Sequence, residues 1–222
     1  MKKLNEDRSL ASLEIKDESF ADTENRWDIE DDEDDLSEEK INYYLVPGNE
    51  KIVFIKVGAG GSERGYNDKY VKMAERIHER IGATVICASN PTEPVCNTSD
   101  AEEIRSVVDK MGFKHFELYL LGTSDGAYLN LKLANQFSET VEWIGINASF
   151  VSMSDLEKRL KAQPNVSKLM IYGTEDDDFD EIVPALSKIC CDNFALEFVE
   201  GADHSFIDML DEFIALADYV CR

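Results

Sequence analysis

From residue 41 onward the chain alternates between two hydrophobic rhythms. Short, nearly unbroken apolar runs stand between longer stretches in which apolar residues return every three or four positions. Runs of the first kind read as strands covered on both faces, and the second kind as helices laid against them. Residues 41–46 form the first such run and end at Pro47-Gly48, a turn signal; residues 51–57 form the second. Further strands are predicted over 83–88, 118–121, 143–147, 169–172 and 194–199. Helices are predicted between them. The first carries Tyr70, Val71, Ala74, Ile77 and Ile81 along one face and is closed by Gly82. The second opens on a capping box, Ser99-x-x-Glu102, and runs to Gly112. Others follow the strand at 118–121 (Ala127, Tyr128, Leu131, Ala134 and Phe137 inward) and cover 153–160, 182–189 and 206–220. Strands alternating with helices imply an α/β fold: a mostly parallel, twisted sheet of about seven strands with helices on both faces. In such sheets, sites lie at the carboxyl ends of the strands.

Residues 1–40 break both rhythms. They are polar, with an acidic block over 28–35 and scattered Phe20, Trp27 and Ile29. Such a segment buries too little apolar area to offset its ordering entropy, so it reads as a flexible acidic extension able to fold over the domain at 41–222. The whole chain, 222 residues and 43% hydrophobic, suits one core.

Charge narrows the function. The net charge is −23, and residues 1–40 hold sixteen Asp/Glu against six Lys/Arg. Nucleic-acid backbones and anionic membrane surfaces need clustered cations, so neither is expected as a partner. No run approaches a membrane span, no apolar segment follows Met1-Lys2-Lys3-Leu4, and the five cysteines contain no C-x-x-C pair. The expectation is a cytoplasmic protein without disulfides, and no cofactor or metal is called for. Nothing in the sequence bears on oligomeric state.

The chemistry concentrates around Gly122-Thr123-Ser124-Asp125-Gly126, placed where the apolar run 118–121 gives way to a helical pattern. Gly-x-Ser-x-Gly in that setting is a nucleophile elbow, with Ser124 presented on a strained turn at a helix N-terminus. A serine hydroxyl needs a base. Of three histidines, His78 lies in a helix and His115 at the amino end of a strand, while His204 follows the last strand in Gly201-Ala202-Asp203-His204. A carboxylate must orient that ring. Gly173-Thr174-Glu175-Asp176-Asp177-Asp178 offers Asp176, with Asp177 and Asp178 as alternatives; Asp203 points away. Backbone donors for an oxyanion are predicted at Asp125 and at Ala59 in the loop Gly58-Ala59-Gly60-Gly61-Ser62-Glu63. That loop has neither the Lys-Ser/Thr pair of a P-loop nor dinucleotide glycine spacing.

Together these motifs, in the order Ser, Asp, His, resemble the α/β-hydrolase family over residues 41–222. The resemblance implies a three-layer sheet, a triad of Ser124, Asp176 and His204, and oxyanion donors at Ala59 and Asp125. Val57 departs from the histidine many members place before the loop glycine, and the acid loop is long. Between the strands at 143–147 and 169–172 there is room for one short helix and no large cap domain. The reading is a serine hydrolase of carboxylic esters or thioesters, acting on a short-chain small molecule or an acylated carrier. The alternative is a catalytically inactive hydrolase-like binding or regulatory module.

Overall fold

Seven strands pair in the order β1-β3-β2-β4-β5-β6-β7. The computed structural model describes residues 41–91 and 98–222; the expectations for residues 1–40 and around Pro94 lie outside the described residues. The strands are β1 (Tyr43–Val46), β2 (Asn49–Lys56), β3 (Ala83–Ala88), β4 (Glu117–Thr123), β5 (Thr140–Ile146), β6 (Ser167–Gly173) and β7 (Phe194–Val199). All neighbours run parallel except β1 against β3. The Pro47-Gly48 turn does not close a hairpin; it carries the chain across the start of β3, which lies between β1 and β2. Gly48 is required there, because a Cβ would stand 2.3 Å from the Ala83 and Gly82 carbonyl oxygens.

Alternate residues of each strand face opposite layers. Phe54, Leu120, Trp143 and Met170 pack beneath α2 (Thr98–Met111), α3 (Asp125–Leu133), α4 (Met153–Lys161) and α5 (Phe179–Leu186). On the other face Val53, Ile55, Leu121 and Ile144 meet Met73 and Ile77 of α1 (Lys69–Ile81) and Phe213 of α6 (Leu210–Ala215). This is the three-layer α/β-hydrolase fold.

Several helix bounds differ from the pattern-based expectation. The second helix starts at Thr98, so Ser99 lies inside the first turn and does not cap it. Helix α3 gives way to a 3-10 turn at Ala134–Gln136, and Phe137 is extended although buried. Helix α5 begins at Phe179, inside the long acid loop, and ends at Leu186. The closing helix is shortest against expectation. Phe206 is buried but has φ 55°, a conformation that a helix excludes, and the helix starts only at Leu210. An apolar residue at helical spacing was here a buried turn residue. Strand β7, at the edge, has only half-buried and exposed positions, unlike the continuous burial of β3.

Candidate active site

The carboxyl edge of the sheet gathers the polar residues that the sequence singles out. At the end of β4 the backbone of Ser124 takes φ 51° and ψ −127°, a strained conformation for a residue with a side chain. The flanking glycines permit it. A Cβ on Gly122 would come within 2.4 Å of Ala127 Cα, and one on Gly126 within 2.3 Å of the Val57 carbonyl oxygen. Ser124 N–H donates to the Ile146 carbonyl at 2.9 Å, which fixes the elbow to β5.

From that position the Ser124 Oγ lies 3.1 Å from His204 Nε2. The other ring nitrogen, Nδ1, stands 2.7 Å from Asp176 Oδ2. The Asp176 side chain is 2% exposed, whereas that of His204 is 43% exposed. An ionised carboxylate can only accept, so Nδ1 carries the proton and Nε2 is left as an acceptor for the serine hydroxyl. The second carboxylate oxygen, Oδ1, accepts from Asp178 N–H at 2.9 Å. Asp177 and Asp178 are exposed, and neither side chain bonds the ring. Asp203 Oδ1 accepts from the backbone N–H groups of Ser205 and Ile207, so it shapes its own loop. Of the other histidines, His115 is exposed and His78 bonds the Ala83 carbonyl at 2.9 Å, both outside this cluster.

The glycine loop closes the other side. Gly61 N–H donates to the Gly58 carbonyl at 3.0 Å, with Gly60 at φ 70°, the arrangement of a type II turn with Ala59 at its second position. The N–H at that position has no partner inside the turn. Gly58 lies against Ser124: a Cβ there would be 3.0 Å from Ser124 Cβ. Asp125 is the first residue of α3, so its N–H likewise has no acceptor within the helix. The N–H groups of Ala59 and Asp125 are thus both left over by the local structure next to Ser124.

Three contributors escaped sequence reasoning. Asn90, buried after β3, donates from Nδ2 to the Val57 carbonyl at 3.2 Å, and its N–H donates to the Gly61 carbonyl at 3.0 Å. It anchors the glycine loop where the Val57 side chain offers no polar group. Asn147, at φ 42° just past β5, donates to the carbonyls of Asp203 and His204 at 3.1 and 3.0 Å and accepts from Gly173 N–H at 2.8 Å. It ties the histidine loop to the strand that carries the acid. Ser149 places its Oγ 3.2 Å from Ser124 Oγ. Each stands within three residues of a strand's carboxyl end and acts on a segment far off in the chain, so no local pattern marks it.

Ser124 and His204 line a cleft of about 270 Å³, whose wall includes Ala59, Tyr66, Lys69 and Ser205. Burial pushes the Tyr70 hydroxyl at its base up to about 12, against the opposing effect of a 2.8 Å hydrogen bond with Thr123. Among the described residues no cluster of His, Cys, Asp or Glu is placed to hold a metal ion. No helix among them is long and apolar enough to cross a membrane.

No family model matches the sequence, and no curated protein matches it. Solved structures do. Est1E from Butyrivibrio proteoclasticus superposes with a TM-score of 0.62 at 15% identity, over 83% of this chain and 94% of that one. An alpha-beta serine hydrolase homologue from Coxiella burnetii gives 0.61 at 15%, over 92% and 100%. XC6422 from Xanthomonas campestris, described as a serine hydrolase without a lid, gives 0.58 at 20%, over 81% and 87%. The chain has the architecture these structures share, the α/β-hydrolase fold.

Proposed function

We propose that this protein is a serine hydrolase that cleaves a carboxylic ester or thioester. The observation that carries the reading is the unbroken run of hydrogen bonds from the Ser124 hydroxyl through the His204 ring to the buried Asp176 carboxylate. In this mechanism Ser124 Oγ attacks the carbonyl carbon while Nε2 of His204 takes its proton. The imidazolium so formed faces the Asp176 carboxylate, which compensates its charge. The carbonyl oxygen becomes an oxyanion held by the N–H groups of Ala59 and Asp125, with the N-terminus of α3 adding its dipole. His204 then passes the proton to the departing alcohol or thiol. Water, activated by the same ring, releases the acid and restores Ser124. The exposure of His204 and the small cleft favour short acyl groups and hydrolysis over transfer to another acceptor.

A fluorophosphonate probe tests the reading. The intact protein is expected to be labelled and to hydrolyse p-nitrophenyl acetate or butyrate, while Ser124→Ala does neither. Unlabelled intact protein, or equal labelling of the variant, overturns it. A binding module would also have no use for the complete set of hydroxyl, imidazole and buried carboxylate.

A further inference from the structure

The wall of the cleft carries a charge that the triad does not use. Lys69, at the first position of α1, shares the cleft with Ser124 and His204, and among the described residues no Asp or Glu lines it. Asp176 is shut away behind the imidazole at 2% exposure. In a protein of net charge −23, the mouth of the site therefore presents a cation.

That cation is held in place. Its Nζ donates to the Ser205 carbonyl at 2.8 Å and stands 4.5 Å from the centre of the Phe213 ring and 5.3 Å from that of Tyr70. Two aromatic faces and a carbonyl fix the ammonium without neutralising it. One of its three N–H donors goes to Ser205, which leaves two. Among the described residues no carboxylate forms an ion pair with it. Asp203 is the acid that acts on it, and Asp203 Oδ1 is engaged by two backbone N–H groups. Burial pulls the Lys69 pKa down and Asp203 opposes this, the mark of a partly desolvated cation short of a counter-ion.

We propose that the cleft selects esters bearing an anionic group a few bonds from the scissile carbonyl, with the Lys69 ammonium binding that anion. The inference rests on the hydrolase reading above. A carboxylate or similar anion on the substrate meets a positioned cation whose charge no carboxylate pairs among the described residues, a charge-assisted contact that an equally sized neutral group cannot make. Lys69 is thus a specificity-determining residue.

The test compares kcat/KM for charged esters and neutral isosteres, with acid release followed in a pH-stat. With the anion on the acyl side, monomethyl succinate is set against methyl 4-methylpentanoate. With the anion on the alcohol side, acetoxyacetate is set against isobutyl acetate. The wild-type protein is expected to favour the charged member of at least one pair by about tenfold or more, the scale of a charged hydrogen bond. Lys69→Met, which keeps the stem over Phe213, is expected to bring that ratio close to one, and Lys69→Arg to retain most of it. A wild-type ratio near one in both pairs overturns the proposal, as does a ratio unchanged in Lys69→Met. So does an equal loss on charged and neutral esters in that variant, which would reduce Lys69 to a support for the histidine loop. Failure of the hydrolase reading looks different: no ester of either kind turns over and the fluorophosphonate does not label Ser124.

Discussion

Asn49 and Asn147 do similar chemistry at opposite edges of the same sheet. At the amino edge, Asn49 Nδ2 donates to the Ile81 carbonyl at 2.9 Å and its Oδ1 accepts from Lys51 N–H at 2.9 Å. At the carboxyl edge, Asn147 donates to two carbonyls of the histidine loop and accepts from Gly173 N–H. Each side chain fastens one segment of backbone to another. What differs is what hangs on the fastened segment. Asn49 closes the end of α1 onto β2, a joint that carries no reactive group. Asn147, just past β5, holds the backbone of His204 itself and binds the end of β6, which leads into the loop that carries Asp176. Side chains that do the same fastening thus differ in what the fastened segment carries, according to which edge they serve.

The sharpest way to break the contrast is at the acid loop, where three aspartates stand in a row. Asp176→Asn leaves the volume unchanged but can present a donor to Nδ1, which favours the wrong tautomer of His204. A fall in kcat/KM of roughly three to four orders of magnitude is expected. Asp177→Asn and Asp178→Asn, which remove exposed charges, are expected to stay within about threefold, since Asp178 reaches Asp176 through its backbone N–H. Steady-state kinetics on p-nitrophenyl acetate decide it, and a comparable fall in Asp177→Asn would move the role away from Asp176.

Next in size is Asn147→Gly. Glycine accepts the φ of 42° without strain, so the variant removes the side-chain hydrogen bonds and little else. Loss of a buried set of this kind costs about 1–3 kcal/mol of stability, read as the urea midpoint. Activity is expected to fall about ten- to hundredfold as His204 loses its fixed reach to Ser124. Full activity with lowered stability would show that the loop holds the ring unaided.

Legibility in the sequence followed the range of the interactions. Strands β3 and β7 have the bounds that their apolar runs predict, because turn residues cut those runs off on both sides. The elbow was legible because glycine, serine and the strand-to-helix switch are adjacent in the chain. Asp176 was singled out by its place just past β6, and the structure sets it 2.7 Å from His204. Asn147, Ser149 and Asn90 left no such trace: each acts on a segment tens of residues away, so no local pattern announces it. Helix ends failed for a related reason. Phe206 is buried at a spacing that fits the face of the closing helix, and burial alone does not tell a helix from a tight turn.

The smallest expected effect completes the comparison. Asn49→Ala removes two side-chain hydrogen bonds at the amino edge, but the Asn49 backbone N–H still reaches the Gly82 carbonyl and its carbonyl still accepts from Thr84 Oγ1. The joint between α1 and β2 is therefore weakened and not undone. A loss of about 1 kcal/mol in urea unfolding is expected, since a typical hydrogen bond contributes about that much and water can reach this partly buried position. The strands that run from this joint to the cleft are packed on both faces, and a local loosening at one end has no soft element through which to reach Ser124. Activity on p-nitrophenyl acetate is accordingly expected to stay within about twofold of wild type. If Asn49→Ala instead lost as much activity as Asn147→Gly, the two edges would be mechanically coupled, and placement beside His204 would no longer account for the importance of Asn147.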